Sequence, residues 1–177
     1  MNAQEIVAAY LDALEASPSW AETYRRSNAL YTPLATAALV KAGFAACPGT
    51  EHTAKGHRNR WDRSEYLTLD VVLCDSETWA SPLFVAEHEN SPWKSKIQYD
   101  AWKLLAVDAQ RRVLVAYWGA DKSLPTFEKL REAVMEVAKD NPKRDLVLIA
   151  ADYRAMPSDA KELRELHEYA IVGTWTS

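Results

Sequence analysis

The hydrophobic period changes along the chain, and this change constrains the fold more than any other feature. Between residues 4 and 16 the apolar side chains recur at helical spacing, whereas in the segment 67–73 (LTLDVVL) positions 67, 69, 71 and 73 are all apolar. A period of 3.6 is typical of a helix and a period of two is typical of a strand. The chain therefore has to combine helices with a sheet, and we expect an α/β protein.

The first quarter of the chain predicts three helices. The first covers residues 4–16, the second begins at Ser19, and the third opens at Thr32 and stops at Gly43. Glycine suits the residue that follows a helix, because it adopts the left-handed backbone there without strain. The stretch 44–63 has no periodicity and several Pro and Gly residues, which predicts a long surface loop or an irregular strand.

The next part of the chain predicts a hairpin followed by a crossover. Residues 67–73 and 83–89 read as two antiparallel strands, with Asp70 on the other face of its strand from the alternating apolar side chains. A helix at 95–108 and an apolar strand at 112–118 then predict a parallel connection.

The remaining segments add one strand between two helices. A helix begins at Pro125, a buried strand covers 145–151, and a last helix covers roughly 158–167. We therefore predict a mixed sheet flanked by helices, in one domain spanning residues 1–177.

Composition narrows the class of protein. A chain of 177 residues with 48% hydrophobic residues has enough apolar side chains for the core of one domain. It contains no run of the roughly 18 apolar residues that a membrane span requires, and its start lacks the layout of a secretory signal. We expect a cytoplasmic protein that does not enter a membrane. Cys47 and Cys74 are too few for a disulfide framework and are expected to be reduced.

Charge is distributed unevenly. The net charge of −4 argues mildly against a nucleic-acid binder, because phosphate neutralisation normally shows as a basic excess. The segment 55–63 nevertheless concentrates four cationic side chains around one tryptophan, which predicts either a basic strip for nucleic acid or a solvated loop. The residues of this strip are Lys55, Arg58, Arg60, Trp61 and Arg63.

Three carboxylates form the candidate site. Glu87 and Glu89 are two apart on a predicted strand, so they leave the same face with Cα atoms about 6.5 to 7 Å apart. If the register of the hairpin brings Asp70 alongside, the three groups repel one another unless a cation lies between them. Oxygen ligands favour Mg²⁺, Mn²⁺ or Ca²⁺ over zinc. The alternative is that the Glu-His-Glu run simply faces solvent. His88 points away from the two glutamates and is expected to pack or cap.

The order of these elements resembles the PD-(D/E)XK nuclease superfamily over roughly residues 65–120. LTLDVVLCD would supply the motif Asp as Asp70, and VAEHEN would supply Glu87 and Glu89 as an E-x-E variant of the usual E-x-K motif. The resemblance implies a restriction-endonuclease-like fold and a Mg²⁺- or Mn²⁺-dependent nuclease that hydrolyses phosphodiester bonds of DNA, with a homodimer as one expected form. Glu89 departs from the family, which usually has Lys there.

The resemblance also implies roles for individual residues. Asp70 and Glu87 would hold the metal, and Glu89 would ligate or orient the attacking water. The missing lysine is sought on the following helix, where Lys96 and Lys103 are the catalytic candidates. An acidic residue of the N-terminal helices often completes such a site, and Glu22 or Glu51 would supply it, while Lys94 joins the basic strip in contacting nucleic acid.

Two alternative functions stay open. One is a catalytically inactive nuclease fold that serves as a nucleic-acid or protein binding or regulatory module, which the missing lysine and the acidic net charge both favour. The other is a structural protein whose exposed tryptophans meet a partner chain; Trp93 and Trp102, which flank the acidic run, are the tryptophans to test.

Overall fold

A computed structural model describes residues 1–17, 20, 28–47, 53–54, 69–74, 82–91, 93–118, 125–142, 144–152 and 160–173. Its helices are α1 (Ala3–Glu15), α2 (Asn28–Ala46), α3 (Lys94–Ala106), α4 (Phe127–Ala138) and α5 (Ala160–Glu165). Its strands are β1 (Thr53–Ala54), β2 (Val71–Cys74), β3 (Pro82–His88), β4 (Arg111–Trp118), β5 (Leu146–Asp152) and β6 (His167–Val172).

The helix α1 confirms its prediction, and α2 corrects one. At the start of α1, Asn2 and Glu5 exchange side-chain and backbone hydrogen bonds in a capping box. The helix α2 runs through Gly43 instead of ending there. A Cβ atom at Gly43 would lie 2.8 Å from Phe84 and closer still to Leu73, so this glycine lets the helix approach the sheet closely and does not terminate it.

The described strands form one mixed sheet in the order β1 to β6. The predicted hairpin is confirmed, since β2 and β3 are antiparallel, and so is the crossover, since β3, β4 and β5 are parallel. The strand β6 pairs antiparallel with β5 and was not predicted. Within β6 only Val172 is fully buried, so the segment lacks the strict alternation that identifies a strand in a sequence.

Helices cover both faces of the sheet. Phe84 and Ala86 of β3 pack in an apolar cluster with α1 and α2, whereas Val85 packs in a second cluster with α3 and α4. Successive residues of a strand point to opposite faces, so β3 is buried on both sides. The α/β class with an N-terminal helical segment is therefore confirmed.

The backbone around Asp70 differs from the prediction. Leu69 lies in the cluster of α3 and α4, whereas Val71, two residues later, lies in the cluster of α1 and α2. The two side chains thus fall on opposite faces because the chain bends at Asp70, just before β2 begins. The prediction that the apolar residues at 69 and 71 share one face is wrong.

The remaining structural expectations concern membranes and thiols. No described helix combines the length and the apolar character that a bilayer crossing requires. Cys47 and Cys74, which we expect to be reduced, are both buried.

Candidate acidic site at the end of strand β3

The site begins where β3 meets the residue before β2. The last regular pair of this ladder is Val71 with Ala86, so Asp70 and Glu87 are the next residues on the two strands. Asp70 Oδ2 accepts a hydrogen bond of 2.8 Å from the backbone N–H of His88. This bond fixes the Asp70 carboxylate beside the end of β3.

Glu87 lies on the α3 side of the sheet and is only 4% exposed. Its Oε1 is 2.5 Å from Nζ of Lys103, and the same ammonium is 2.9 Å from Oδ1 of Asp100. Lys103 and Asp100 are one turn apart on α3, which places them on the same stripe of the helix. The helix therefore supplies a cation and an additional carboxylate to the buried end of β3.

Burial and charge shift the pKa values of this ion pair. Burial, followed by the charge of Asp70, raises the pKa of Glu87 to about 9, although Lys103 opposes the shift. Burial lowers the pKa of Lys103, but its hydrogen bonds to Glu87 and Asp100 outweigh burial and raise that pKa above its ordinary value. The ammonium thus stays charged, and it is the main compensation for the carboxylates around it.

Glu89 belongs to the same cluster but faces different partners. Its Oε1 accepts a hydrogen bond of 2.5 Å from the backbone N–H of Ser91. Burial, and then a side-chain hydrogen bond with Asp100, raises the pKa of Glu89 to about 7. The Glu89 carboxyl therefore takes up a proton more readily than an ordinary glutamate does.

His88 lies on the opposite face, as predicted. Its Nε2 is 2.6 Å from the hydroxyl of Tyr117, and its ring makes an edge contact with Tyr31 at a centroid distance of 5.8 Å. Burial lowers the pKa of His88 to about 4, so the ring is neutral at physiological pH. This histidine packs between two tyrosines and does not face the glutamates.

The structure brings together four of the predicted residues, namely Asp70, Glu87, Glu89 and Lys103. Lys96 is exposed, and only its charge reaches Glu89. Lys94 forms an ion pair with Glu136 of α4 at 2.8 Å. The other predicted residues lie outside the described part of the chain; they are Glu22, Glu51, Lys55, Arg58, Arg60, Trp61 and Arg63.

Asp100 is the site residue that the sequence reading missed. It falls between Ile97, Ala101 and Leu104, which are all fully buried on one side of α3. A carboxylate at a core-facing position of an amphipathic helix requires a partner. Its spacing of three residues from Lys103 identifies that partner, so the signal was present in the sequence.

The chemistry of the donors fits a hard cation only in part. Among the described residues, no three acidic, histidine or cysteine side chains are arranged to hold a metal ion. The ammonium of Lys103 already lies between Glu87 and Asp100. Mg²⁺, however, commonly keeps several waters and binds through one or two carboxylates. Asp70, just before β2, and Glu87, on β3, are two neighbouring carboxyl groups that could supply ligands of this kind.

No protein-family model, curated protein or solved structure matches this chain. Fold and site therefore define only a class: a mixed α/β protein with four carboxyl groups and one lysine gathered at the end of a central strand.

Proposed function

We propose that this protein is a metal-dependent nuclease of the restriction-endonuclease-like fold, which hydrolyses phosphodiester bonds of DNA. One observation carries the proposal. Asp70 and Glu87 come from adjoining strands of the hairpin, and Lys103 reaches Glu87 from the crossover helix that follows. Two carboxylates and a lysine are the groups that the resemblance to the PD-(D/E)XK superfamily implies. Here the lysine comes from the helix instead of the strand.

In this proposal Asp70 and Glu87 hold Mg²⁺ or Mn²⁺ through their carboxylate oxygens. A bound divalent ion would polarise a phosphoryl oxygen and lower the pKa of its water. Glu89 has a pKa of about 7, so near neutral pH it is ionised in part of the molecules and accepts a proton from water as a general base. Lys103 remains cationic and stabilises negative charge that develops on phosphate.

A second candidate is supported by the same lysine. The ammonium of Lys103 already compensates Glu87 and Asp100 without any metal, and the chain carries a net charge of −4. Both facts suit a catalytically inactive nuclease fold that serves as a nucleic-acid or protein binding module. This candidate predicts that nucleic acid is retained and never cut.

The test is incubation of the purified protein with plasmid and with single-stranded DNA in Mg²⁺ or Mn²⁺. We expect cleavage that EDTA abolishes, that Glu87→Ala abolishes, and that Glu89→Gln slows by about 100-fold or more because a general base is lost. Glu168→Gln is the matched control, since Glu168 is an exposed glutamate on β6.

Three results would separate the candidates. Cleavage that survives in Glu87→Ala would contradict the assigned site. DNA binding without cleavage in either metal would favour the inactive module. A protein that neither binds nor cuts nucleic acid would contradict both.

A further inference from the structure

Three large aromatic side chains, on α3 and at the residue just before it, are exposed instead of packed in the core. Trp93 is 72% exposed, Tyr99 is 50% exposed and Trp102 is 53% exposed. Aromatic residues of this size are normally buried in a core or in an interface. The rings of Tyr99 and Trp102 are stacked, with centroids 6.0 Å apart and planes inclined by 24°. The pair therefore leaves about half of each aromatic side chain open to solvent on the outside of α3.

This surface is continuous with the acidic site. Nζ of Lys103 is 5.2 Å from the centroid of the Tyr99 ring, within the range of a cation–π interaction, and it is also bonded to Glu87. Lys96, one turn before Tyr99, is exposed on the same helix. Tyr99 thus lies between two cationic side chains, one directed to solvent and the other to the site.

We propose that Tyr99 and Trp102 form a stacking surface for an unpaired base, so that the substrate is a single-stranded nucleic acid whose backbone continues to the acidic site. The inference rests on the proposed function, because it assigns the substrate class of the same site. Every base offers a flat π-face, and stacking on an aromatic side chain is a recurring means of holding single strands.

Two properties of the surface favour a nucleic acid over a protein partner. The stacked pair lies half exposed on the outside of a helix, where a base can extend the stack by covering an exposed ring face. The exposed ammonium of Lys96, one turn before Tyr99, also matches an anionic backbone. In a duplex the faces of the bases are covered by their neighbours, so the surface selects strands whose bases are unstacked.

The experiment measures binding, so that it does not depend on cleavage. Fluorescence anisotropy is recorded in EDTA with three labelled probes of equal length: an oligothymidine, an abasic strand with the same phosphates, and a duplex. The variants are Trp102→Ala and Trp102→Phe. Tyr169→Ala is the matched control, because Tyr169 is 42% exposed on β6, and circular dichroism verifies the fold of each variant.

We expect the wild type to bind oligothymidine more tightly than the duplex or the abasic strand. Trp102→Ala should weaken oligothymidine binding by roughly 5- to 100-fold and leave abasic binding unchanged, whereas Trp102→Phe and Tyr169→Ala should stay close to wild type. Equal losses on both strands, no loss in Trp102→Ala, or no binding of any probe would overturn the inference.

The outcome is separable from that of the proposed function. A protein that binds oligothymidine through Trp102 but never cuts DNA keeps this stacking surface and loses the nuclease proposal. A protein that cuts DNA with an unaffected Trp102→Ala variant keeps the nuclease and loses the stacking surface.

Discussion

Neighbouring residues at the end of β3 enter two different environments. Glu87 points toward α3, where Lys103, Asp100 and the nearby charge of Asp70 surround it. His88 points toward α2, where Tyr31 and Tyr117 surround it. Both side chains are about equally buried, at 4% and 5% exposure, so burial does not distinguish them.

The comparison shows two ways of keeping a polar group inside a sheet. The histidine stays neutral and pairs its Nε2 with a hydroxyl, so no charge is desolvated, although its Nδ1 has no hydrogen-bond partner among the described residues. The glutamate lies among charged groups, and the ammonium of Lys103 is the cation that compensates them. An arrangement of like charges that a single lysine compensates is uncommon in a core and typical of functional sites.

The largest effect is expected when this ammonium is removed. Lys103→Met keeps most of the apolar stem but leaves buried carboxyl groups without their cation, so we expect a loss of about 3–5 kcal/mol in the free energy of unfolding. Urea unfolding at neutral pH measures it. If a divalent ion binds Asp70 and Glu87, Mg²⁺ should restore part of the loss.

The double variant Lys103→Met with Asp100→Asn is the control for this prediction. It removes the buried carboxylate that Lys103 pairs with on its own helix together with the lysine, so it should recover part of the lost stability. A Lys103→Met variant as stable as wild type would contradict the view that Glu87 lies in a charged environment that depends on Lys103.

The second prediction concerns pH, where the two residues should act with opposite sign. The pKa of His88 falls from 6.5 to about 4 on folding. Between these pH values His88 is protonated in the unfolded chain and neutral in the native state. The stability from neutral His88 is present above pH 6.5 and is lost as pH falls toward 4, by about 3 kcal/mol. Urea unfolding of His88→Phe between pH 4 and 7 should show a shallower acid loss, with the equally shifted His167 retained as internal reference.

Glu87 should give the opposite slope. Its pKa rises from 4.5 to about 9 on folding, so the native state holds a proton that the unfolded chain releases. Its contribution is present below pH 4.5 and is lost as pH rises toward 9. Glu87→Gln should therefore flatten the fall in stability between pH 4.5 and about 9. Identical pH profiles for the two variants would contradict the assignment of opposite environments.

Periodicity sufficed to predict the hairpin and the crossover, because these depend on residues close in sequence. The core-facing position of Asp100 and its spacing from Lys103 were visible in the sequence, but only the packing of α3 shows that this pair meets Glu87. Gly43 was misread because glycine serves a helix end and a close helix–sheet contact equally well. The strand β6 was missed because it is half exposed.

The roles of the candidate residues depend on distances that no spacing rule contains. The sequence offered three lysines on one helix, with Lys96 and Lys103 as the catalytic candidates and Lys94 as a nucleic-acid contact. Only the packing of α3 shows that Lys103 reaches Glu87 while Lys94 reaches Glu136. A sequence identifies the groups available to a site, and the angle at which a helix lies on a sheet selects among them.

The smallest effect is expected at Lys94, which tests whether burial explains the behaviour of Lys103. Lys94 also forms an ion pair from α3, at 2.8 Å from Glu136, but its side chain is 61% exposed and that of its partner is 50% exposed. Water and salt screen such a pair, and most exposed pairs contribute little to stability. Lys94→Met should leave the urea midpoint within experimental error of wild type, and high salt should remove any residual difference. A loss comparable to that of Lys103→Met would mean that the cost arises from removing any lysine of α3, and the distinction between the buried and the exposed pair would fail.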